Sequence, residues 1–381
     1  MNNVNIKSTG KISVRYVFLV CMAAALGGFL FGFDTAVISG ALPLVVNDFK
    51  LTTGMEGWFV SSALLGCIIG VGVAGLLSDR FGRKKVLLIS ALLFVTSSVG
   101  CMLADNLSIL IIYRILGGLG IGVASMICPL YISEFSPPRL RGRMVALYQL
   151  AITIGIVGAY FSNALLLEVS ESGTFTGLLK QLLITDAWRG MIGIGVIPAF
   201  IFLLLLLFVP ESPRWLLVNG REGKAILYLN KIYGPEQAAT ELREIKTATT
   251  GSKNFKVLFS SRYRVALIIG LALPFLSQTS GINAIIYYGP SILDKAGFSL
   301  SGAFGGQVTI GIVNVICTFI AIFTVDKWGR RPLLIVGITG AILSLVVTGL
   351  LFSMGVTNGP WILISILLFI ACFAFSFGPV C

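Results

Sequence analysis

Ten runs of mainly apolar residues divide this chain, at 16–38, 57–77, 86–104, 108–130, 144–167, 189–209, 264–288, 303–324, 332–353 and 360–381. Each approaches the ~20 residues that an α-helix needs to cross a bilayer. In lipid the backbone must satisfy its own hydrogen bonds, which leaves helices and closed barrels. A barrel strand is a ~10-residue segment of alternating hydrophobicity, and none is present. The runs therefore predict membrane helices, and their many glycines suit close helix packing. Composition agrees: 56% of residues are hydrophobic and 12% charged, against roughly 25% charged in a soluble domain. That excludes a soluble globular enzyme, a disordered chain and a collagen-like fibre.

The basic residues fix an expected orientation. Of 28 lysines and arginines, 23 fall in 1–15, 78–85, 131–143, 210–264 and 325–331, and three in 39–56, 168–188 and 289–302. Arg114 and Arg189 lie inside spans or at their edges. The positive-inside rule then places the N-terminus in the cytoplasm. The net charge of +12 is explained by topology, so no nucleic-acid partner is expected. There is no histidine, which removes histidine bases, metal ligands and pH switches together, and with them any Ser/His/Asp triad. The seven cysteines lie in apolar runs without a CxxC pair, so neither a disulfide framework nor a metal site is indicated. No phosphate loop is present either. The glycines at 117, 118, 120 and 122 sit mid-span, where they suit helix packing rather than dinucleotide binding. No cofactor is expected. Lys7, Lys11 and Arg15 precede the first run, which lacks a small-residue cleavage pattern and reads as a span, not a signal peptide.

The polar segment 210–263, helix-like at 235–247, separates six spans from four. The expected organisation is a six-helix half at 1–209, an interdomain loop with short helices at 210–263, and spans 7–10 of a second half at 264–381. The sequence ends at Cys381 inside an apolar run, as an incomplete chain would. An internal repeat supports two halves. Asp79-Arg80-Phe81-Gly82-Arg83-Lys84 follows span 2 and Asp326-Lys327-Trp328-Gly329-Arg330-Arg331 follows span 8. Paired halves with a midplane site are a transporter pattern.

Only Asp34 among the acids lies well inside a span, and only Arg114 among the bases. Counted from their span ends, the two fall at about 6–9 Å depth at ~1.5 Å per residue, which makes them candidate partners. Two readings stand: a structural ion pair, or a proton site in which Arg114 favours the carboxylate and burial the neutral acid. Gln149, Gln278, Asn283 and Asn314 are intramembrane amides, with Phe31, Phe33, Tyr287 and Tyr288 as nearby aromatics. Amides and rings suit a sugar's polar edges and apolar face; the alternative is interhelical hydrogen bonding. Asp79, Arg83, Glu134, Arg143, Glu211, Arg214, Asp326 and Arg330, with Arg80 and Arg331, sit at expected cytoplasmic span ends. They read either as solvated topology signals or as an ion-pair network locking the halves together.

These features resemble the sugar porter family of the major facilitator superfamily along the whole chain. The matching motifs are Gly32-Phe33-Asp34-Thr35, Asp79–Lys85, Arg114 with Gly117-Gly118, and Glu134 with Arg141-Gly142-Arg143. Further along come Pro210–Trp215 (PESPRW), Gln278–Asn283 (QTSGIN) with Tyr287-Tyr288, Asn314, Asp326–Arg331 and Gly378-Pro379-Val380. The resemblance implies an all-α membrane protein of the major facilitator fold, two six-helix halves of which ten spans are present, working by alternating access. It implies sugar contacts at Gln149, Gln278, Asn283 and Asn314, an outer gate at Tyr287 and Tyr288, and proton coupling through Asp34. The sequence looks most like bacterial xylose/H⁺ and hexose/H⁺ symporters. It departs from many members at Ser277, where they carry Gln, and at Gly195, where some proton-coupled members carry an acid.

The expected function is proton-coupled uptake of a pentose or hexose by a monomer in the bacterial plasma membrane. The expected partners are the sugar, the proton and the lipid bilayer. A facilitative uniporter and a transporter-like sugar sensor are the alternatives; no enzyme chemistry is indicated.

Overall fold

The structure, a computed structural model, describes residues 13–172, 176–177, 180–249, 260, 263–355 and 359–380. Among these residues there is no strand. The first half comprises α1 (Val14–Phe49), α2 (Thr53–Phe81), α3 (Arg83–Met102), α4 (Leu107–Phe135), α5 (Arg141–Ser172), α6 (Ala187–Gly193) and α7 (Val196–Phe208). The linker carries α8 (Pro213–Val218), α9 (Glu222–Tyr233) and α10 (Pro235–Thr249). Then follow α11 (Arg264–Thr279), α12 (Ile282–Lys295), α13 (Leu300–Trp328), α14 (Arg330–Ser353) and α15 (Gly359–Val380). Among the described residues ten helical segments are long and apolar enough to cross a membrane, each on one of the ten apolar runs. Ile68, Leu76 and Phe208 are largely exposed, as lipid-facing residues of an integral membrane protein are.

Two spans are interrupted, each for a local reason. In the sixth, Pro198 supplies no N–H to the Ile194 carbonyl and its ring crowds that turn. The Ile194 carbonyl instead accepts from Ile197 at 3.1 Å, and Gly195 N–H reaches Ile192 O at 3.3 Å. In the seventh, α11 and α12 meet at Gly281, whose φ of +91° is a left-handed value that glycine adopts without steric cost. A continuous helix over 264–288 is thus corrected to two helices with a sharp turn.

The linker holds more helix than 235–247 alone. Ser212 caps α8 by accepting from Trp215 N–H, with Pro213 in the first turn. α9 buries Ala225, Leu229, Ile232 and Tyr233, an i, i+4, i+7 stripe. Leu229, Ile232 and Tyr233 join the core of the first half.

Packing sets up a central space. α1 lies along α5, α2 along α4, and α3 against α4 and α7, while α13 and α14 flank α15. The α2–α4 contact is close: a Cβ at Gly118 or Gly122 would collide with the Ala63 or Cys67 carbonyl, the packing role expected of this glycine run. The two groups of spans meet where α12 touches α1 and where α13 and α15 touch α5. A continuous core spans that junction, from Ala36, Ala41 and Tyr160 to Ile286, Phe304 and Phe369. α11 has no buried residue and makes its one substantial helix contact with α12.

Candidate functional site

A cavity of about 550 Å³ lies between the two groups of spans. That volume is within the usual range for a small-molecule site. Its lining includes Phe31, Asp34, Arg114, Gln149, Gln278, Asn283, Tyr287 and Asn314. Residues far apart in sequence are thus brought to one space by spans 1, 4, 5, 7 and 8. Tyr288 is not part of this lining; it is half-buried beside the core.

Asp34 and Arg114 form the expected pair. Arg114 Nη1 donates to both carboxylate oxygens at 3.3 Å. The arginine side chain is 3% exposed and that of Asp34 20%. One partner is therefore locked in the protein while the other still opens to the cavity. The guanidinium also lies over the Phe59 ring, 6.0 Å from its centroid. Its Nε has no hydrogen-bond partner.

The amides arrive by two routes. Asn283 Nδ2 donates to Gln278 Oε1 at 2.6 Å. They adjoin across the break at Gly281, where span 7 passes from α11 to α12. Gln149 and Asn314 make no hydrogen bond to the protein among the described residues, though Asn314 is only 8% exposed. Buried polar groups are normally satisfied, so these amides present donors and acceptors to the cavity itself. Thr318, 1% exposed, belongs to the same lining. It stands four residues beyond Asn314, one helical turn on the same face, a signal the sequence reading did not use. Phe373 and Phe377 add two rings tilted at 34° with centroids 5.4 Å apart, again four residues apart on one helix.

Above the cavity the junction is sealed by polar contacts. Pro290 lacks the N–H that would satisfy Ile286 O one turn earlier. That carbonyl accepts instead from Gln307 Nε2 at 3.3 Å and from the Tyr160 hydroxyl of α5 at 3.5 Å. The second of these crosses from one half to the other. Tyr287, 8% exposed, lies in the same turn.

The charges at the basic end cluster around α3. Arg83 is bidentate to Glu134, with Nε–Oε2 and Nη2–Oε1 both 3.0 Å, and also pairs with Asp79 at 3.0 Å. Ser212 Oγ donates to Glu134 at 2.6 Å. Glu211 accepts from the backbone N–H groups of Arg83, Lys84 and Ser212 at 2.9, 3.1 and 2.9 Å. It thereby caps the α3 N-terminus, which has no side-chain cap of its own, with the charge the helix dipole favours. Burial pushes the Glu211 carboxyl up, against the pull of those N–H groups. A raised carboxyl contributes stability on the acid side and loses it as pH rises through its titration.

The ion pairs join first-half residues to each other, and hydrogen bonds of Ser212 and Glu211 tie them to the linker. Arg143, Arg214 and Arg330 make no ion pair among the described residues. The Asp326 side chain lies outside the described residues. Arg83→Ala will strand Glu134, whose side chain is 4% exposed, and should cost about 3–5 kcal/mol. Thermal unfolding in detergent tests this, with the exposed Arg80→Ala expected to match the parent.

Comparisons with known proteins agree with this geometry. The family model described as sugar (and other) transporter matches residues 20–381. The arabinose-proton symporter of Bacillus subtilis (strain 168) is 40% identical over 378 residues, spanning 99% of this chain and 80% of that protein. The galactose-proton symporter of Escherichia coli (strain K12) is 38% identical over 380 residues, spanning 98% of this chain and 78% of that protein. Among solved structures, the partially occluded inward open conformation of the xylose transporter XylE from E. coli superposes with TM-score 0.84 at 36% identity. That superposition covers 96% of this chain and 86% of XylE. The expected major facilitator architecture therefore holds, with ten spans present. A cavity lined by unpartnered amides and one membrane-embedded acid, inside a helical bundle of this shape, is what the family match leads one to look for: the chain belongs to the sugar (and other) transporter family.

Proposed function

We propose that the protein takes up a monosaccharide together with a proton, by alternating access between a first half at 1–209 and a second half beginning at 264. One observation carries this reading. Asp34, held by a buried arginine, opens on the same cavity as Gln149 and Asn314, whose amides have no protein partner among the described residues. The symport named for the arabinose and galactose relatives supports it.

The positive-inside distribution of basic residues puts the N-terminus in the cytoplasm. The contacts of α12 with α1 then lie toward the outside. In the cycle, Asp34 takes a proton from the outside while the sugar binds Gln149, Gln278, Asn283 and Asn314 against Phe31. Neutralising Asp34 weakens its hold on Arg114 and lets the halves rock. Tyr287, with Tyr288 behind it, closes the outer side, helped by Tyr160. On the inner side Arg114 draws Asp34 back to the carboxylate, and proton and sugar leave. In the outward state the network of Asp79, Arg83, Glu134, Arg143, Glu211, Arg214, Asp326 and Arg330 brings the halves together on the cytoplasmic side. The protein works as a monomer in the lipid bilayer of the bacterial plasma membrane.

Uptake of labelled arabinose, galactose and xylose into energised vesicles tests the proposal. Accumulation of one sugar, collapsed by a protonophore, is expected. Equilibration unaffected by the protonophore would make the protein a uniporter and the Asp34–Arg114 pair structural.

A further inference from the structure

Asp34 faces two spaces. Besides the central cavity it lines a separate void of about 10 Å³. No other residue of that void touches the central cavity. About one probe sphere of volume is what a single buried water needs, provided polar partners are at hand.

The void has such partners. Ser98 of α3 lines it and is 9% exposed. Serines inside these helices usually turn back to their own backbone, as Ser39, Ser62 and Ser162 do. Ser97 donates to Tyr113 O at 2.6 Å. Ser98 makes no hydrogen bond to the protein among the described residues. The far wall is Ile192 and Gly195, the turn where Pro198 interrupts span 6. Interrupted ladders of this kind are where water enters a helix.

We infer that this void is a one-water site and that Ser98 is a positioning residue, holding the water against the Asp34 carboxyl from a side the sugar does not reach. The inference rests on the proton-carrying reading of Asp34. Sugar entering the cavity displaces water from one face of the carboxyl. The second site keeps the group hydrated on its other face through the cycle, so the carboxylate remains accessible after the sugar has bound. The groups facing Asp34 are Arg114 from span 4, Cys67 from span 2, Cys101 from span 3 and Tyr287 from span 7. Spans 5, 6, 8 and 10 bring no titratable side chain to either space. Among the described residues Arg114 is thus the one formal charge beside the carboxyl, and a single water is a large share of its remaining polar surroundings.

Taking hydrogen-bonding groups from an ionised carboxylate disfavours that form, so proton-coupled uptake should persist to higher pH. One hydrogen bond to a charged group corresponds to about one pH unit. Two variants remove the site independently. Ser98→Ala deletes the hydroxyl. Gly195→Ala fills the void, its Cβ meeting Ser98 Oγ and Ile192 O at 3.3 Å and Phe33 Cε1 at 3.6 Å. Ser97→Ala, one residue away and bonded elsewhere, is the control.

The experiment reads the pH midpoint of sugar-driven proton uptake in vesicles for the parent and the three variants. Counterflow at acid pH reports the folded, active fraction. Ser98→Ala and Gly195→Ala should each move the midpoint about one unit alkaline, and Ser97→Ala should leave it in place. Should Ser98→Ala fail to fold, Gly195→Ala decides alone. A midpoint unmoved, or moved to lower pH, overturns the one-water site. If the parent itself takes up no protons with sugar, the proton reading of Asp34 fails instead.

Discussion

Asp34→Asn will abolish accumulation of sugar against its gradient while counterflow exchange continues. Asparagine keeps the size and hydrogen-bonding reach of the protonated acid but cannot release a proton. A carrier fixed in that state still binds sugar and still rocks, so it exchanges labelled for unlabelled sugar. It has lost its coupling to the proton gradient. A proton crossing ~100 mV releases about 2.3 kcal/mol, enough to hold a roughly 50-fold sugar gradient, at about 1.4 kcal/mol per factor of ten. The accumulation ratio should therefore fall from tens to about one. The substitution also leaves Arg114, 3% exposed, without its counter-charge. Stranding a buried charge costs about 3–5 kcal/mol, so a lower unfolding temperature in detergent should accompany the loss. Accumulation unchanged in Asp34→Asn would reduce the pair to a structural one.

The second large effect belongs to the amide pair at the broken span. Gln278→Ala and Asn283→Ala should each raise the sugar half-saturation by about 10–100-fold, the size expected when a sugar hydroxyl enclosed on binding loses its partner at ~1–3 kcal/mol. The two side chains are bonded to each other at 2.6 Å, so each single change also releases the other. The double variant should then fall short of the sum, as contacting residues do. Interhelical bonding alone predicts the opposite pattern, a loss of thermal stability with half-saturation unchanged. Measuring both quantities on the same preparations separates the two roles.

Much of this was legible because a bilayer imposes so few solutions. A run of about 20 apolar residues can only be a helix there, and each of the ten predicted runs coincides with a helical segment. The Asp34–Arg114 pair was legible for the same reason, since one acid and one base inside spans have little choice of partner. α1 continues to Phe49, well past its apolar run, so Asp34 lies deeper below the end of its helix than the run indicated. What stayed hidden was local geometry. Hydropathy does not register the interruptions at Gly195 and Gly281, although Pro198 marked one of them. Gln278 and Asn283 were both readable as intramembrane amides, but not the break at Gly281 across which they bond. Short helices were expected in the linker, but α8 and α9 lie outside 235–247, the one stretch that read as helix-like. Thr318 was readable from its spacing to Asn314, and the Phe373–Phe377 pair likewise. Ser98 was not, because a serine in an apolar helix looks alike whether it bonds its own backbone or faces a void.

Coupled movement of sugar and proton is the defining property of a symporter. The direct measurement is external pH in de-energised cells expressing the protein, after addition of single pentoses and hexoses. Transient alkalinisation with one sugar, absent in Asp34→Asn, is the predicted result. Uptake of the same labelled sugar with no movement of external pH would contradict it.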